Sequence, residues 1–219
     1  MNANELLILA RGPILGLALA VLAFGVLLRF FEILSLGRKI DLSPARALTP
    51  GSGWRTLFHR SLPPVGMTAR APATYFGGYV FHIGLFVTVF LFVPHIEFLR
   101  GAFGLSWPGL PTPIVDGGAL ASMVAMLTLL TSRLSDPVKR FISGFGDYLA
   151  WGLSFLPLLT GYLAVHHLLT DYSLMLALHI LSVELLLIAL PFTKLFHAFG
   201  LFLARWYNGD IFGRKGVAS

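Results

Sequence analysis

Uncharged apolar stretches alternate five times along the chain with polar segments rich in proline, glycine or arginine. The apolar runs predict membrane spans over about residues 13–34, 75–96, 115–132, 147–166 and 173–204. A helix needs roughly 20 largely apolar residues to cross the hydrocarbon core, so the pattern predicts an all-α integral membrane five-helix bundle. We read residues 1–219 as one membrane domain. The first run holds Ala18-Leu19-Ala20, the small-residue pattern of a cleavage site, but its apolar character continues to Leu28, and Glu5 accompanies Arg11 ahead of it. An uncleaved first helix is expected.

Basic residues fix the expected orientation, because Lys and Arg beside short spans are retained in the cytoplasm. Residues 37–72 carry Arg38, Lys39, Arg46, Arg55, Arg60 and Arg70, together with Pro44, Pro50, Pro63, Pro64, Gly51 and Gly53. The third connection and the C-terminal tail are basic as well, whereas the second connection holds only Arg100 and the fourth no Lys or Arg. The alternation predicts an outside N-terminus, a cytoplasmic C-terminus and a basic cytoplasmic loop over 37–72, placed against anionic headgroups or a partner.

Composition narrows the chemistry. Of 219 residues, 56% are hydrophobic and 12% charged, about half the charge of a soluble domain. The net charge of +6 reads as topology, since no nucleic-acid-binding motif accompanies it. Cysteine is absent, which excludes disulfides, iron–sulfur clusters, thiolate zinc and covalently attached haem within this chain. No nucleophile–base motif, Gly-rich phosphate loop or acidic cluster stands in the loops, and no internal repeat suggests a transporter of inverted halves.

Six of seven histidines fall in or beside the spans: His82, His95, His166, His167, His179 and His197. Ionisable groups at membrane depth are costly and mark functional sites, although a lone histidine can simply bridge two helices. If the fifth span is one helix, the 18 residues between His179 and His197 are five turns, and both rings share a face about 27 Å apart. His82 and His95 are 13 residues apart, which on a continuous helix turns the second ring about 140° away; Pro94 can end that helix and redirect His95. The second and fifth spans run antiparallel, so His82 matches His197 in depth, and His95 matches His179. Two histidines at one depth form the usual axial set of a b-type haem. Gly77, Gly78 and Gly84 around His82 either leave room for a macrocycle or pack helices.

The segments Phe81-His82-Ile83-Gly84, Leu178-His179, Glu184-Leu185-Leu186 and Pro191-Phe192-Thr193-Lys194-Leu195-Phe196-His197 resemble the gamma-subunit family of respiratory nitrate reductase. The cytochrome b subunits of sulfite-reductase-associated and heterodisulfide-reductase-type complexes belong to the same family. The resemblance covers spans two to five. It implies two b haems, one held by His82 and His197 on the cytoplasmic side and one whose fifth-span ligand is His179. The family's second-span partner stands ten residues after the first histidine, where this chain has Phe92. His95 is the expected substitute, with His166 or His167 as alternatives.

The resemblance also implies a prokaryotic inner-membrane electron-transfer subunit of an oxidoreductase complex. It would connect the quinone pool to a cytoplasmic iron–sulfur subunit, in either direction. Glu184 is expected to relay protons or bond a neighbouring helix. Lys194 and Arg205 are expected to meet haem propionates or headgroups, and Glu97 with Arg100 to form a salt pair or line a quinone pocket. Two other functions are open on the sequence alone: a haem-free membrane anchor and a small proton or solute transporter.

Overall fold

The computed structural model describes residues 2–37, 44–46 and 52–217, so Arg38 and Lys39 of the basic loop lie outside the described residues. Its α-helices are α1 (Ala3–Leu9), α2 (Leu15–Ser35), α3 (Ser52–His59), α4 (Met67–Arg70), α5 (Pro72–Leu91), α6 (Val93–Phe103), α7 (Thr112–Ser135), α8 (Pro137–Phe141), α9 (Phe145–Val165), α10 (Tyr172–Ala189) and α11 (His197–Arg214). No strand occurs among the described residues. Five helical segments are long and apolar enough to cross a membrane: Ala3–Ser35, Pro72–Leu91, Thr112–Ser135, Phe145–Val165 and Tyr172–Phe192.

Three expected spans are corrected. The first starts at Ala3, where Asn2 and Glu5 form a reciprocal cap. It absorbs Pro13 in a π turn over Ala10–Ile14, since proline lacks the N–H of a regular turn. The second ends at Leu91 rather than 96, because Phe92 is extended (φ −81°, ψ 124°) and Pro94 opens a new helix. The fifth is not one helix over 173–204. Pro191 interrupts the hydrogen-bond ladder, Leu190–Phe192 and Lys194–Phe196 form short 3₁₀ turns, and Thr193 between them is extended with its hydroxyl capping Leu195 N–H.

Small residues set the packing, as expected where lipid removes the hydrophobic drive between helices. Helix α5 lies closest to α7: a Cβ at Gly84 would overlap the Ser122 hydroxyl and the Gly118 carbonyl, and Ser122 Oγ donates to Phe81 O at 3.2 Å. Helix α9 continues the row, with Met123, Met126 and Leu158 buried together and Trp151 Nε1 donating to Met126 O at 2.8 Å. Helix α10 packs on α9 and on α1–α2, where Gly25 receives the Pro191 ring. Helices α5 and α10, at the two ends of the row α5, α7, α9, α10, share no extended packed face, and the gap between these ends is the slot across which the histidines face each other. Beyond it, α3 and α11 form a small unit in which Gly53 abuts Trp206 and Gly209 abuts buried Thr56.

Candidate paired-histidine site

Two histidine pairs cross the slot. The ring centres of His82 and His197 are 6.2 Å apart at an interplanar angle of 71°; those of His95 and His179 are also 6.2 Å apart, at 18°. A metal held between two imidazoles needs two bonds of about 2 Å and two ring radii of about 1 Å, giving about 6 Å between ring centres. No group of three or more His, Asp or Glu side chains gathers as a metal site among the described residues. The arrangement is one of pairs, which suits a group that supplies its own equatorial ligands.

The backbone orients the rings. His82 Nδ1 lies 2.7 Å from Gly78 O, His95 Nδ1 2.9 Å from Thr88 O and His197 Nδ1 2.9 Å from Lys194 O. An imidazole whose Nδ1–H donates to a carbonyl carries its lone pair on Nε2, the tautomer a metal ligand needs. His179 Nδ1 is 3.4 Å from Thr160 Oγ1, and the Pro157 carbonyl is also within reach of this ring. His179 fits only because residue 161 is glycine: a Cβ there would stand 2.9 Å from its Cε1 and 3.1 Å from its Nδ1.

The break after Leu91 explains how His95 arrives. The last four carbonyls of a helix have no partner within it, and at membrane depth they must find one. At the end of α5, Thr88 O accepts from His95, Phe90 O from Trp107 Nε1 at 2.6 Å, and Leu91 O from Leu110 N–H at 2.8 Å. His82 bonds the carbonyl four residues before it. A ring at position 92 of a continuous helix would bond residue 88 in the same way, and the folded-back His95 takes that carbonyl. The Phe92 ring packs edge-on against His95, with centres 5.3 Å apart.

The other candidate residues sort by their contacts. Gly77 and Gly84 face α7, whereas Gly78, one turn from His82, has nothing within 4 Å of its added Cβ and keeps the slot open. Lys194 is engaged with Asp147 at 2.8 Å, and Arg205 Nη1 donates to Ser61 Oγ at 2.9 Å, so neither points at the slot for propionates. Glu97 pairs with Arg100 on the exposed face of α6. His166 lies 3.4 Å from Asp116 and His167 packs on Tyr172, with ring centres 4.8 Å apart, so His179's ring partner is His95. Glu184 is buried at 1% exposure, and neither carboxylate oxygen has a hydrogen-bond partner among the described residues.

Sequence reasoning missed Gly161 and Asp116. The Thr160-Gly161 step inside an apolar span was the available signal for the first, and a carboxylate five residues into the third helical span for the second.

No family model matches the chain, and no solved structure matches it. A protein of Nitratidesulfovibrio vulgaris (strain Hildenborough) is 31% identical over 131 residues. The match takes in 60% of this chain, which covers 58% of that relative's length. The chain is a helical one with five segments long and apolar enough to cross a membrane and two histidine pairs spanning one slot.

Proposed function

We propose that the protein is a dihaem b-type cytochrome subunit that carries electrons between the membrane quinone pool and an iron–sulfur partner in the cytoplasm. The observation that carries this reading is the pair of 6.2 Å ring separations whose imidazoles are tied back through Nδ1, three of them to backbone carbonyls. His82 with His197, and His95 with His179, would hold the two haems. Each haem contributes reversible one-electron chemistry when bound, and the chain's residues hold it, shield it and set its surroundings.

The carbonyls of Gly78, Lys194 and Thr88 keep Nε2 available and restrain ring rotation. Gly161 provides the close approach that the His179 ring requires, and Gly78 leaves open space one turn from His82 for a flat macrocycle. The unit of α3 and α11 adjoins the His82 and His197 pair. Tyr79 donates to Ser61 O at 2.6 Å, Arg205 reaches the same residue, and Trp54 and Phe58 stand exposed beside Arg55 and Arg60. An exposed, basic and aromatic surface next to one pair supports docking of the soluble redox partner there. The resemblance to nitrate reductase gamma subunits and to the sulfur-linked cytochromes b points the same way.

The test is a dithionite-reduced minus oxidised spectrum of the detergent-purified protein with a haem-to-protein ratio. The expected outcome is a b-type spectrum and two haems per chain. A folded, monodisperse protein expressed with haem available but lacking any haem overturns the reading in favour of a membrane anchor.

A further inference from the structure

At the His95 and His179 end, a second group of titratable side chains stands outside the paired site. Helix α7 contributes Asp116, and the residue just after α9 is His166; Asp116 Oδ2 lies 3.4 Å from His166 Nε2. The Tyr162 ring packs on His166 with centres 4.3 Å apart, and His166 N–H is anchored on Tyr162 O at 3.2 Å. The dyad is open rather than sealed, with 35% of the His166 side chain and 24% of the Asp116 side chain exposed. The backbone beyond it is strained: His167 and Leu169 take positive φ of 53° and 71°, a conformation L side chains avoid and one that clusters at functional sites. Leu168, Leu169 and Tyr172 form an exposed apolar lip beside it. Gly161, against which His179 rests, lies five residues before His166, about 7.5 Å along the helix.

We infer that the Asp116–His166 dyad is the proton-accepting half of a site that oxidises a lipid-soluble hydroquinone; this rests on the dihaem reading above. A hydroquinone needs a base for its hydroxyl protons, an electron acceptor close by and an apolar surface for its ring and tail. His166 presents a second nitrogen away from Asp116. That nitrogen takes the hydroxyl proton, and the Asp116 carboxylate steadies the resulting imidazolium, the division of labour of a base and its orienting acid. In the full step both O–H bonds of the hydroquinone break and both C–O bonds become carbonyls. The two electrons would leave one at a time to the haem that His95 and His179 would hold, which would pass the first onward before taking the second. The two protons pass in turn through His166 to water at the open end. His166 is the catalytic base and Asp116 its positioning residue.

The experiment compares wild type with His166→Asn and Asp116→Asn, with His166→Gln and Asp116→Glu as second variants should either fail to fold. Haem content and dithionite reduction are read first. The rate of haem reduction by menadiol is then followed across pH, and menadione binding is measured by titration calorimetry. Asp116 on α7, Tyr162 on the last turn of α9, and His167 and Tyr172 beyond it are the titratable neighbours of His166. In wild type the menadiol rate should rise with pH, because a base must be unprotonated to accept the hydroxyl proton. His166→Asn should lower it about a hundredfold, remove that rise and weaken menadione binding about tenfold, with haem content unchanged. Asp116→Asn should lower the rate about tenfold, and Asp116→Glu should recover part of it. Unchanged rates, pH profile and menadione affinity in haem-replete variants overturn the dyad's role and leave the dihaem reading intact. A folded wild type without haem overturns both.

Discussion

Replacing Gly161 with alanine adds one methyl group, and the structure says where it goes. The new Cβ would stand 2.9 Å from His179 Cε1 and 3.1 Å from its Nδ1. Carbon atoms prefer separations of about 3.5–4.0 Å, so the imidazole must retreat by roughly 0.7 Å. Metal–ligand bonds hold their lengths to about 0.2 Å, and the 6.2 Å pairing with His95 leaves no slack for that retreat. Disturbing a group that positions a metal ligand typically costs about 10- to 100-fold in affinity. On the dihaem reading, Gly161→Ala should therefore bring the haem ratio from two toward one per chain and leave the His82 and His197 site loaded. Gly152→Ala is the control, because it lies on the same helix with nothing within 4 Å of its added Cβ. There the substitution should be neutral or stabilising by about 0.5–1 kcal/mol. The assay is a pyridine haemochrome ratio with a reduced-minus-oxidised spectrum, supported by size exclusion. Two haems with an unchanged spectrum in Gly161→Ala would refute the claim that this glycine admits a ligand ring.

Three further outcomes are expected. His82→Ala and His197→Ala should each remove the same one of the two proposed haems without preventing insertion; a different haem lost in each would break the pairing, as a spectrum resolved by redox titration will tell. Gly84→Val should cost about 1–3 kcal/mol or more, because the opposing Gly118 carbonyl is backbone and cannot step aside; thermal unfolding in detergent reads this directly, and an unshifted midpoint would contradict the α5–α7 contact. Asp147→Asn should change stability by less than about 1 kcal/mol, since its partner Lys194 is 64% exposed; haem content should hold, and its loss would mean that the ion pair positions the Lys194 carbonyl beneath His197.

The helical class and the span count were legible because apolar runs of membrane length admit few alternatives. The histidine partners were legible by depth, yet the helical arithmetic behind them assumed unbroken helices. The structure brings the same rings together because α5 stops at Leu91 and α10 stops at Ala189. Pro94 and Pro191 marked both places, but a proline states only that the ladder is interrupted, and the direction of the chain afterwards depends on which orphan carbonyls capture which donors. Glycine roles were illegible for a related reason. Gly77 and Gly78 are adjacent, and the 100° between them sends one into α7 and the other into open space. Lys194 and Arg205 found partners 47 and 144 residues away in sequence, which no local pattern reports.

The corner at Pro191 to Lys194 is fastened on both sides, by the Gly25 notch that receives Pro191 and by the Asp147 carboxylate that holds Lys194. His197 begins α11 directly after that corner, while Arg214 ends it 17 positions later, about 25 Å away. The C-terminal helix is thus a lever whose fulcrum sits beside the histidine and whose long arm carries the α3 contact. A displacement of about 2 Å at Arg214 becomes a few tenths of an ångström one turn from the pivot. A movement imposed on the far arm would reach the imidazole at the fulcrum reduced by nearly the length of the helix.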